Sequence, residues 1–218
     1  MRRLQSCAVM VLGFTVLASA AIAQEATRPD LLFRESWRLP QHEGEPDDFN
    51  RRLTPEVAGN NSLELHHYGP DSQAIIAWEH QGRLDLWTGM ATSPVAVTLR
   101  DKRSYIDLTG LARVRWIVRT NSIFTLYPVV RLADGRYLAG RKPITTDGQF
   151  IQVEIAYGGM QWYEFDPEKV VVLSEVKNPD LSRIDELGLV TFAPGGGHGE
   201  AGSANFSTVE VYANAVPR

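Results

Sequence analysis

Cysteine is almost absent from this 218-residue chain, in which Cys7 is the only one. It lies in an N-terminal stretch that we expect to be removed, so the mature protein has no disulfide, no thiolate nucleophile and no cysteine-ligated metal. A secreted domain without disulfides depends on its hydrophobic core for stability. A mature chain of about 195 residues is long enough to form one such core.

Clusters of basic residues are also missing. The chain carries 22 Lys and Arg against 26 Asp and Glu, a formal net charge of −4. A mildly acidic protein without a basic cluster is a poor binder of nucleic acid or of an anionic membrane surface. We therefore expect no nucleic-acid partner.

The N-terminal stretch has the three parts of a secretory signal peptide. Arg2 and Arg3 form the positive start, an apolar run follows, and Ala21-Ile22-Ala23 provides a cleavage site. The apolar run is shorter than the roughly 20 residues that a membrane-spanning helix needs. We expect a cleaved signal peptide over residues 1–23, no membrane span, a periplasmic or secreted location, and a single β-sandwich domain over residues 24–218.

Short segments of alternating polarity follow one another between turn signals. Residues 112–118 place valines and Trp116 on one face of a strand and arginines on the other. Residues 124–132 return from a turn as a neighbouring strand and alternate in the same way, and Pro128 suggests an edge or irregular strand there. Asp134-Gly135 is a strong β-hairpin signal. About a dozen such strands with no long helix predict an all-β fold, a single antiparallel β-sandwich of the jelly-roll type.

The polar faces of the central strands form a candidate ligand-binding surface. Aromatic rings pack against the apolar face of a sugar, while guanidinium and carboxylate groups bind its hydroxyls or a uronate carboxylate. If one sheet is curved, we expect these side chains to share its concave face. The predicted set is Arg113, Arg115, Arg119, Tyr127, Arg131, Glu154, Trp162 and His198. The alternative is that they are the solvated face of an antiparallel sheet.

Trp162 and His198 are predicted at the rim of that surface. Trp162 follows the Gly158-Gly159 turn, and burial in the core is its alternative placement. The glycine-rich loop around His198 lacks the spacing and the Lys-Ser/Thr pair of a phosphate-binding loop. His198 and Glu200 are candidates for a base and its partner or for ligand contacts, and the alternative is a flexible turn.

Carboxylates supply candidates for cleavage of a glycosidic bond, which needs two carboxyl groups at a defined separation. Glu154 and Glu164 lie on predicted neighbouring strands, and with His198 they are the candidate acid/base residues. His66 and His67 are adjacent on a strand and point to opposite faces, which argues against a shared metal. We expect no metal ligand set and no cofactor, although a structural Ca²⁺ is compatible with the sequence.

The C-terminal part carries a resemblance to a known group of proteins. The run Asp180-Leu181-Ser182-Arg183-Ile184-Asp185-Glu186-Leu187-Gly188, the loop Pro194-Gly195-Gly196-Gly197-His198-Gly199 and the last strand, residues 207–212, carry it. They resemble secreted bacterial jelly rolls of the galactose-binding-like and concanavalin-like types, which include carbohydrate-binding modules and 3-keto-disaccharide hydrolase-like domains. The resemblance implies a sugar-related role and transfers no catalytic residue.

Three functions therefore stand as hypotheses. The leading one is an exported protein that binds a carbohydrate or uronate ligand on a concave sheet face. The second is a glycoside-acting hydrolase or lyase on the same fold. The third is a structural envelope protein without a small ligand. Binding of a glycan that stabilises the native state separates the first two from the third.

Overall fold

The computed structural model describes residues 27–39, 52–80, 82–121, 124–196 and 202–218. The predicted signal peptide and His198 lie outside these residues, so the predictions about them stay predictions. Within the described residues the chain forms fifteen strands and two 3₁₀ turns, at Pro55–Val57 and Ser72–Ala74. The strands are β1 (Leu31–Glu35), β2 (Leu63–Tyr68), β3 (Ile76–His80), β4 (Arg83–Trp87), β5 (Val95–Asp101), β6 (Ser104–Asp107), β7 (Arg113–Thr120), β8 (Leu126–Leu132), β9 (Tyr137–Gly140), β10 (Ile151–Ile155), β11 (Trp162–Asp166), β12 (Val171–Val176), β13 (Ile184–Thr191), β14 (Ala204–Tyr212) and β15 (Asn214–Pro217).

The strands pair antiparallel in two sheets. The six-stranded sheet has the order β10-β7-β14-β4-β3, and β1 also pairs with β14. The nine-stranded sheet has the order β12-β11-β9-β8-β13-β5-β2, and β6 joins it through β13 and carries β15. Packed face to face, the sheets form a jelly-roll β-sandwich, which confirms the predicted all-β antiparallel class.

The core lies between the two sheets, and β7 shows how the sequence builds it. Val114, Trp116, Val118 and Thr120 are buried, while the residues between them are half-buried on the outer face. The Trp116 ring meets Phe206 of β14 edge to face, with centroids 6.5 Å apart. Burying a side chain of the size of Phe206 stabilises the fold by about 1.5–3 kcal/mol.

The outer face of the nine-stranded sheet is concave. Val170, in the turn after β11, lies against Gly69, just after β2, and a Cβ on Gly69 would be 2.9 Å from Cγ2 of Val170. Five strand-to-strand steps separate β11 from β2. In a flat sheet such strands lie roughly 24 Å apart. The sheet therefore curls until its two sides approach each other across the outer face, which we call the concave face.

An apolar cluster forms the floor of the concave face. It helps to explain why β13, the strand between β8 and β5, is buried at all eight positions. The core covers one side of β13, while this cluster covers Val190 and polar side chains cover Glu186 on the other side. Tyr68, Tyr127, Tyr137 and Phe192 pack around the cluster. Its buried members are Ala96, Val129, Ala139, Phe165, Val170 and Val190.

The prediction that β7 and β8 are neighbouring strands is wrong. β7 pairs with β10 and β14 in the six-stranded sheet, whereas β8 pairs with β9 and β13 in the nine-stranded sheet. The chain between them crosses from one sheet to the other. An alternating pattern is the same for a hairpin and for such a crossing, so the pattern cannot separate them. The Asp134-Gly135 hairpin is confirmed between β8 and β9, with Gly135 at φ +91°.

The described part of the chain contains no helix with the length and hydrophobicity needed to cross a bilayer.

Candidate functional site

The predicted ligand-binding residues divide between the two sheets. On the outer face of the six-stranded sheet lie Arg113, Arg115, Arg119 and Glu154. Tyr127 and Arg131 lie instead on the concave face, on β8. The expectation that all of them share one surface is wrong, because it assumed that β7 and β8 were neighbours. The two groups point away from each other on opposite sides of the sandwich.

On the outer face of the six-stranded sheet, arginines are paired with the carboxylate of Glu154. Arg115 Nε donates a 2.8 Å hydrogen bond to Glu154, and Arg28 donates a 3.2 Å bond to the other carboxylate oxygen. Arg113 lies 3.8 Å from the same carboxylate. These cations, with the Arg115 hydrogen bond as the largest influence, lower the pKa of Glu154. This closed network favours the solvated-face interpretation for these residues.

Trp162 lies in the core, so its predicted placement at a rim is wrong. It is 2% exposed and stacks on Tyr157, with ring centroids 6.0 Å apart. Its position on β11 faces inward, opposite Gly140 in the register. A Cβ on Gly140 would lie 2.1 Å from Sδ of Met160 and 3.2 Å from the Trp162 ring, so the missing side chain makes room for both side chains.

The candidate acid/base residues are not assembled into a carboxylate pair. Glu154 lies on β10 of the six-stranded sheet and Glu164 on β11 of the nine-stranded sheet, so the expectation of neighbouring strands is wrong. His198 and Glu200 lie outside the described residues, and a catalytic role for His198 stays a prediction. Among the described residues, no three His, Cys, Asp or Glu side chains are grouped as metal ligands. The structural Ca²⁺ also stays a prediction.

A buried carboxylate organises one end of the concave face. Glu186 of β13 is fully buried, and its Oε2 accepts hydrogen bonds from Thr98 (2.6 Å) and from the Tyr68 hydroxyl (2.8 Å). Its Oε1 accepts a 3.1 Å bond from Arg131 and lies 3.1 Å from Nδ1 of His66. Side chains from three other strands, β2, β5 and β8, thus converge on one carboxylate.

The surroundings of Glu186 keep it ionised. Burial alone raises the pKa of a carboxyl group, but the hydrogen bonds and charges of His66, Thr98 and Tyr68 outweigh it and lower the pKa to about 2. The interaction with Glu186 in turn raises the pKa of His66, against the opposing effect of burial. Glu186 is therefore a fixed anion that orients Tyr68 and Arg131 on the concave face.

A second carboxylate, Asp185, pairs with the arginines at this end of the concave face. Asp185 accepts a 3.0 Å hydrogen bond from Arg100 and one from Arg218, and it lies 3.2 Å from Arg131. Arg100 also donates a 3.1 Å hydrogen bond to Glu64. The three guanidinium groups are thus committed to carboxylates of the protein.

An aromatic pocket opens at the other end of the concave face. Its volume is about 290 Å³, and it is lined by Tyr127, Ala139, Gly140, Arg141, Tyr163, Val172 and Phe192. The rings of Tyr127 and Phe192 lie with centroids 5.4 Å apart and planes tilted by 49°. Tyr127, Tyr163 and Arg141 are the lining residues whose side chains carry hydrogen-bond donors. This set, which we call the aromatic pocket, combines flat apolar surface with hydrogen-bond donors.

Sequence reasoning selected Tyr127 and Arg131, which both lie on this face, but of the residues that line the aromatic pocket it found only Tyr127. Tyr163 follows the buried Trp162, so strand alternation alone turns it outward. Phe192 ends the apolar run of β13, where the pattern does not distinguish the core side from the concave side. Arg141 follows β9 and has no pattern of its own that marks it as a site residue.

No family model matches this chain, and no curated protein matches it in sequence. Solved structures that match include a family 29 carbohydrate-binding module complexed with cellulohexaose, at 11% identity and a TM-score of 0.40, covering 82% of this chain and 92% of the module. A family 11 carbohydrate-binding module from Clostridium thermocellum, in complex with a β-1,3-1,4-mixed-linked tetrasaccharide, matches at 10% identity and a TM-score of 0.38, covering 77% of this chain and 97% of the module.

Glycoside hydrolases also match. An arabinose-bound family 51 α-L-arabinofuranosidase matches at 14% identity and a TM-score of 0.40, covering 82% of this chain. This chain spans 26% of that hydrolase and 23% of a family 50 protein that also matches. At these identities and TM-scores, the matches do not assign the chain to a family.

Proposed function

We propose that this protein binds carbohydrate in the aromatic pocket of the concave face. The observation that supports this most directly is the grouping of Tyr127, Tyr163 and Phe192 around a cavity of about 290 Å³. Sugar rings present an apolar face of C–H groups, which packs against aromatic rings, and hydroxyls at their edges, which need hydrogen-bond partners. The aromatic pocket offers both kinds of contact.

The dimensions suit a short glycan. Ligand pockets in proteins generally begin at roughly 300 Å³ and combine an apolar lining with a few placed polar groups. The aromatic pocket lies at this lower limit and opens onto the concave face. The half-buried rings of Tyr68 and Tyr137 extend aromatic surface along that face, held by a 2.9 Å contact between their hydroxyls.

The rigid surroundings support binding with little reorganisation. Ala139 and Val129 pair across the β8–β9 hairpin and form the floor beside Tyr127 and Tyr163. Phe165 packs edge to face on Phe192, with centroids 6.3 Å apart. Aromatic side chains that are already ordered lose little conformational entropy when a ligand binds.

The test is isothermal titration of the mature protein with a panel of neutral and acidic oligosaccharides, followed by analysis of each mixture for new reducing ends. We expect binding without products, and we expect Tyr163→Ala to weaken it by about tenfold or more. Tyr212→Ala is the matched control, because Tyr212 lies half-buried in the six-stranded sheet on the opposite side.

Three outcomes would contradict these expectations. Equal affinity of Tyr163→Ala and the wild type would place the ligand elsewhere on the molecule. Absence of binding across the panel would favour the structural envelope protein. New reducing ends would show turnover and support the alternative of a glycoside-acting enzyme, with its catalytic groups still to be located.

A further inference from the structure

The cations of the concave face differ in whether they have a partner. At the buried-carboxylate end, Arg131 bonds Glu186 at 3.1 Å, and Arg100 bonds Asp185 at 3.0 Å. Arg218 also bonds Asp185. A ligand anion approaching these guanidinium groups would have to displace a carboxylate of the protein, so this end of the face is poorly suited to an acidic ligand.

Arg141 is different, because no carboxylate of the described residues forms an ion pair with it. Its backbone is fixed: its N–H donates a 2.8 Å hydrogen bond to the carbonyl of Gln161, which ties the end of β9 to the segment before β11. Its side chain is exposed and lines the aromatic pocket beside Tyr163. The pocket lining therefore includes an arginine that no carboxylate of the described residues neutralises.

A guanidinium and a carboxylate fit each other closely. The planar fork of an arginine donates two parallel hydrogen bonds to a carboxylate, and these charged bonds are about twice as strong as neutral ones. A uronic acid residue carries its carboxylate at the edge of a ring whose flat face can lie on an aromatic side chain. Both contacts are available in this pocket at once.

We propose that the aromatic pocket selects acidic glycans, with the carboxylate of a uronic acid residue bound by Arg141 while its ring packs on Tyr127 or Tyr163. This inference rests on the proposed function, since it names the ligand class of the same pocket. The carboxylate of Glu175 weakens the attraction between the pocket and an anionic ligand. It pairs with Tyr163 in the β11–β12 register, so it faces the same side and repels an anion.

The experiment compares uronate oligosaccharides with their carboxyl-reduced counterparts, which keep the same linkages and ring stereochemistry. The wild-type protein is expected to bind the acidic form about tenfold more tightly at low salt, and the preference should fall as ionic strength rises. In Arg141→Gln the ratio of the two affinities should fall toward one. In Glu175→Gln the ratio should rise.

Arg136→Gln is the matched control. Arg136 is also an exposed arginine near β9, but it is paired with Asp134 at 2.7 Å and does not line the pocket. Its substitution should leave the ratio unchanged. Because the side chains of Arg136 and Arg141 are exposed, we expect both variants to keep the fold. Thermal unfolding of each variant checks this.

The outcomes separate this inference from the proposed function. Equal affinity for both forms, abolished by Tyr163→Ala, would overturn the selection of acids and leave carbohydrate binding intact. A preference that persists in Arg141→Gln would overturn the assignment to Arg141. A sulfated oligosaccharide bound as tightly as the uronate would overturn the role of the carboxylate fork. Failure of both forms to bind would contradict the proposed function itself.

Discussion

Thr98 donates a 2.6 Å hydrogen bond to Glu186, and both side chains are fully buried at the concave face of the nine-stranded sheet. We expect Glu186→Gln to destabilise the protein by about 3–5 kcal/mol, because it removes the buried anion that Arg131 and His66 contact and leaves Arg131 with Asp185 alone. Urea unfolding of the variant measures this loss. Asp134→Asn is the control, since Asp134 forms an exposed pair and should change the free energy of unfolding by less than about 1 kcal/mol.

The stabilisation that Glu186 provides should be lost at acid pH. The pKa of Glu186 is lowered from 4.5 to about 2, so its contribution to stability is complete above pH 4.5 and is lost as the pH falls toward 2. The stability difference between wild type and Glu186→Gln should therefore shrink over this range. A difference that stays constant from pH 5 to pH 2 would contradict the ionised state of Glu186.

The adjacent histidines of β2 should respond to pH in opposite directions. The interaction with Glu186 raises the pKa of His66 above 6.5, so its contribution is complete below pH 6.5 and is lost as the pH rises through the raised value. Burial lowers the pKa of His67, so folding is penalised as the pH falls below 6.5. Unfolding of His66→Gln and His67→Gln between pH 5 and pH 9 should show opposite slopes relative to wild type. Parallel slopes would contradict opposite pKa shifts for the two histidines.

Asp85 is a buried carboxyl group with an incomplete set of partners. Asn205 donates a 2.8 Å hydrogen bond to Oδ1, whereas Oδ2 has no hydrogen-bond partner among the described residues. Burial raises the pKa of Asp85 from 3.8 to about 6, so ionisation destabilises the fold as the pH rises from 3.8 through 6. Asp85→Asn should stabilise the protein at pH 7.5 by up to about 3 kcal/mol and lose this advantage near pH 4. A less stable variant at pH 7.5 would show that the structure needs the charge.

The curl of the nine-stranded sheet can be tested at Gly69. Its φ of +114° and the contact with Val170 both disfavour a side chain, so Gly69→Ala should destabilise the protein by more than about 1 kcal/mol. Gly135→Ala is the matched control, because Gly135 also has positive φ but nothing lies within 4 Å of a Cβ there. A Cβ on Gly69 would also lie 2.4 Å from the carbonyl oxygen of Pro94, so the difference between their unfolding free energies measures the contacts with Pro94 and Val170 together. Equal losses would show that Gly69 is constrained by its backbone alone.

Local pattern was sufficient where neighbouring residues decide the structure. Trp116 was predicted to face the core from the alternation of residues 112–118, and it is fully buried. The Asp134-Gly135 turn was predicted from a dipeptide that suits positive φ, and it joins β8 to β9. Pro128 suggested an edge or irregular strand, and the edge alternative is wrong because β8 is central. The β9 pairing ends at Val129, so Pro128 has no β9 partner opposite it.

The candidate site depended on contacts between distant parts of the chain. Glu186 lies in an apolar run, and its importance comes from Tyr68, Thr98 and Arg131, which reach it from other strands. A single strand pattern shows that a residue faces away from the core and does not show which other strands share that face. The predicted arginine cluster was divided for this reason.

The sequence by itself determined that the chain is all β, which side of each central strand is apolar, and where the β8–β9 hairpin turns. These properties follow from a two-residue period and from backbone preferences within a few residues. Only the tertiary structure decided that β7 and β8 belong to opposite sheets and that the nine-stranded sheet curls until Val170 meets Gly69. Sheet membership and curvature depend on the packing of side chains far apart in sequence, and these contacts bring Arg141, Tyr163 and Phe192 into one pocket.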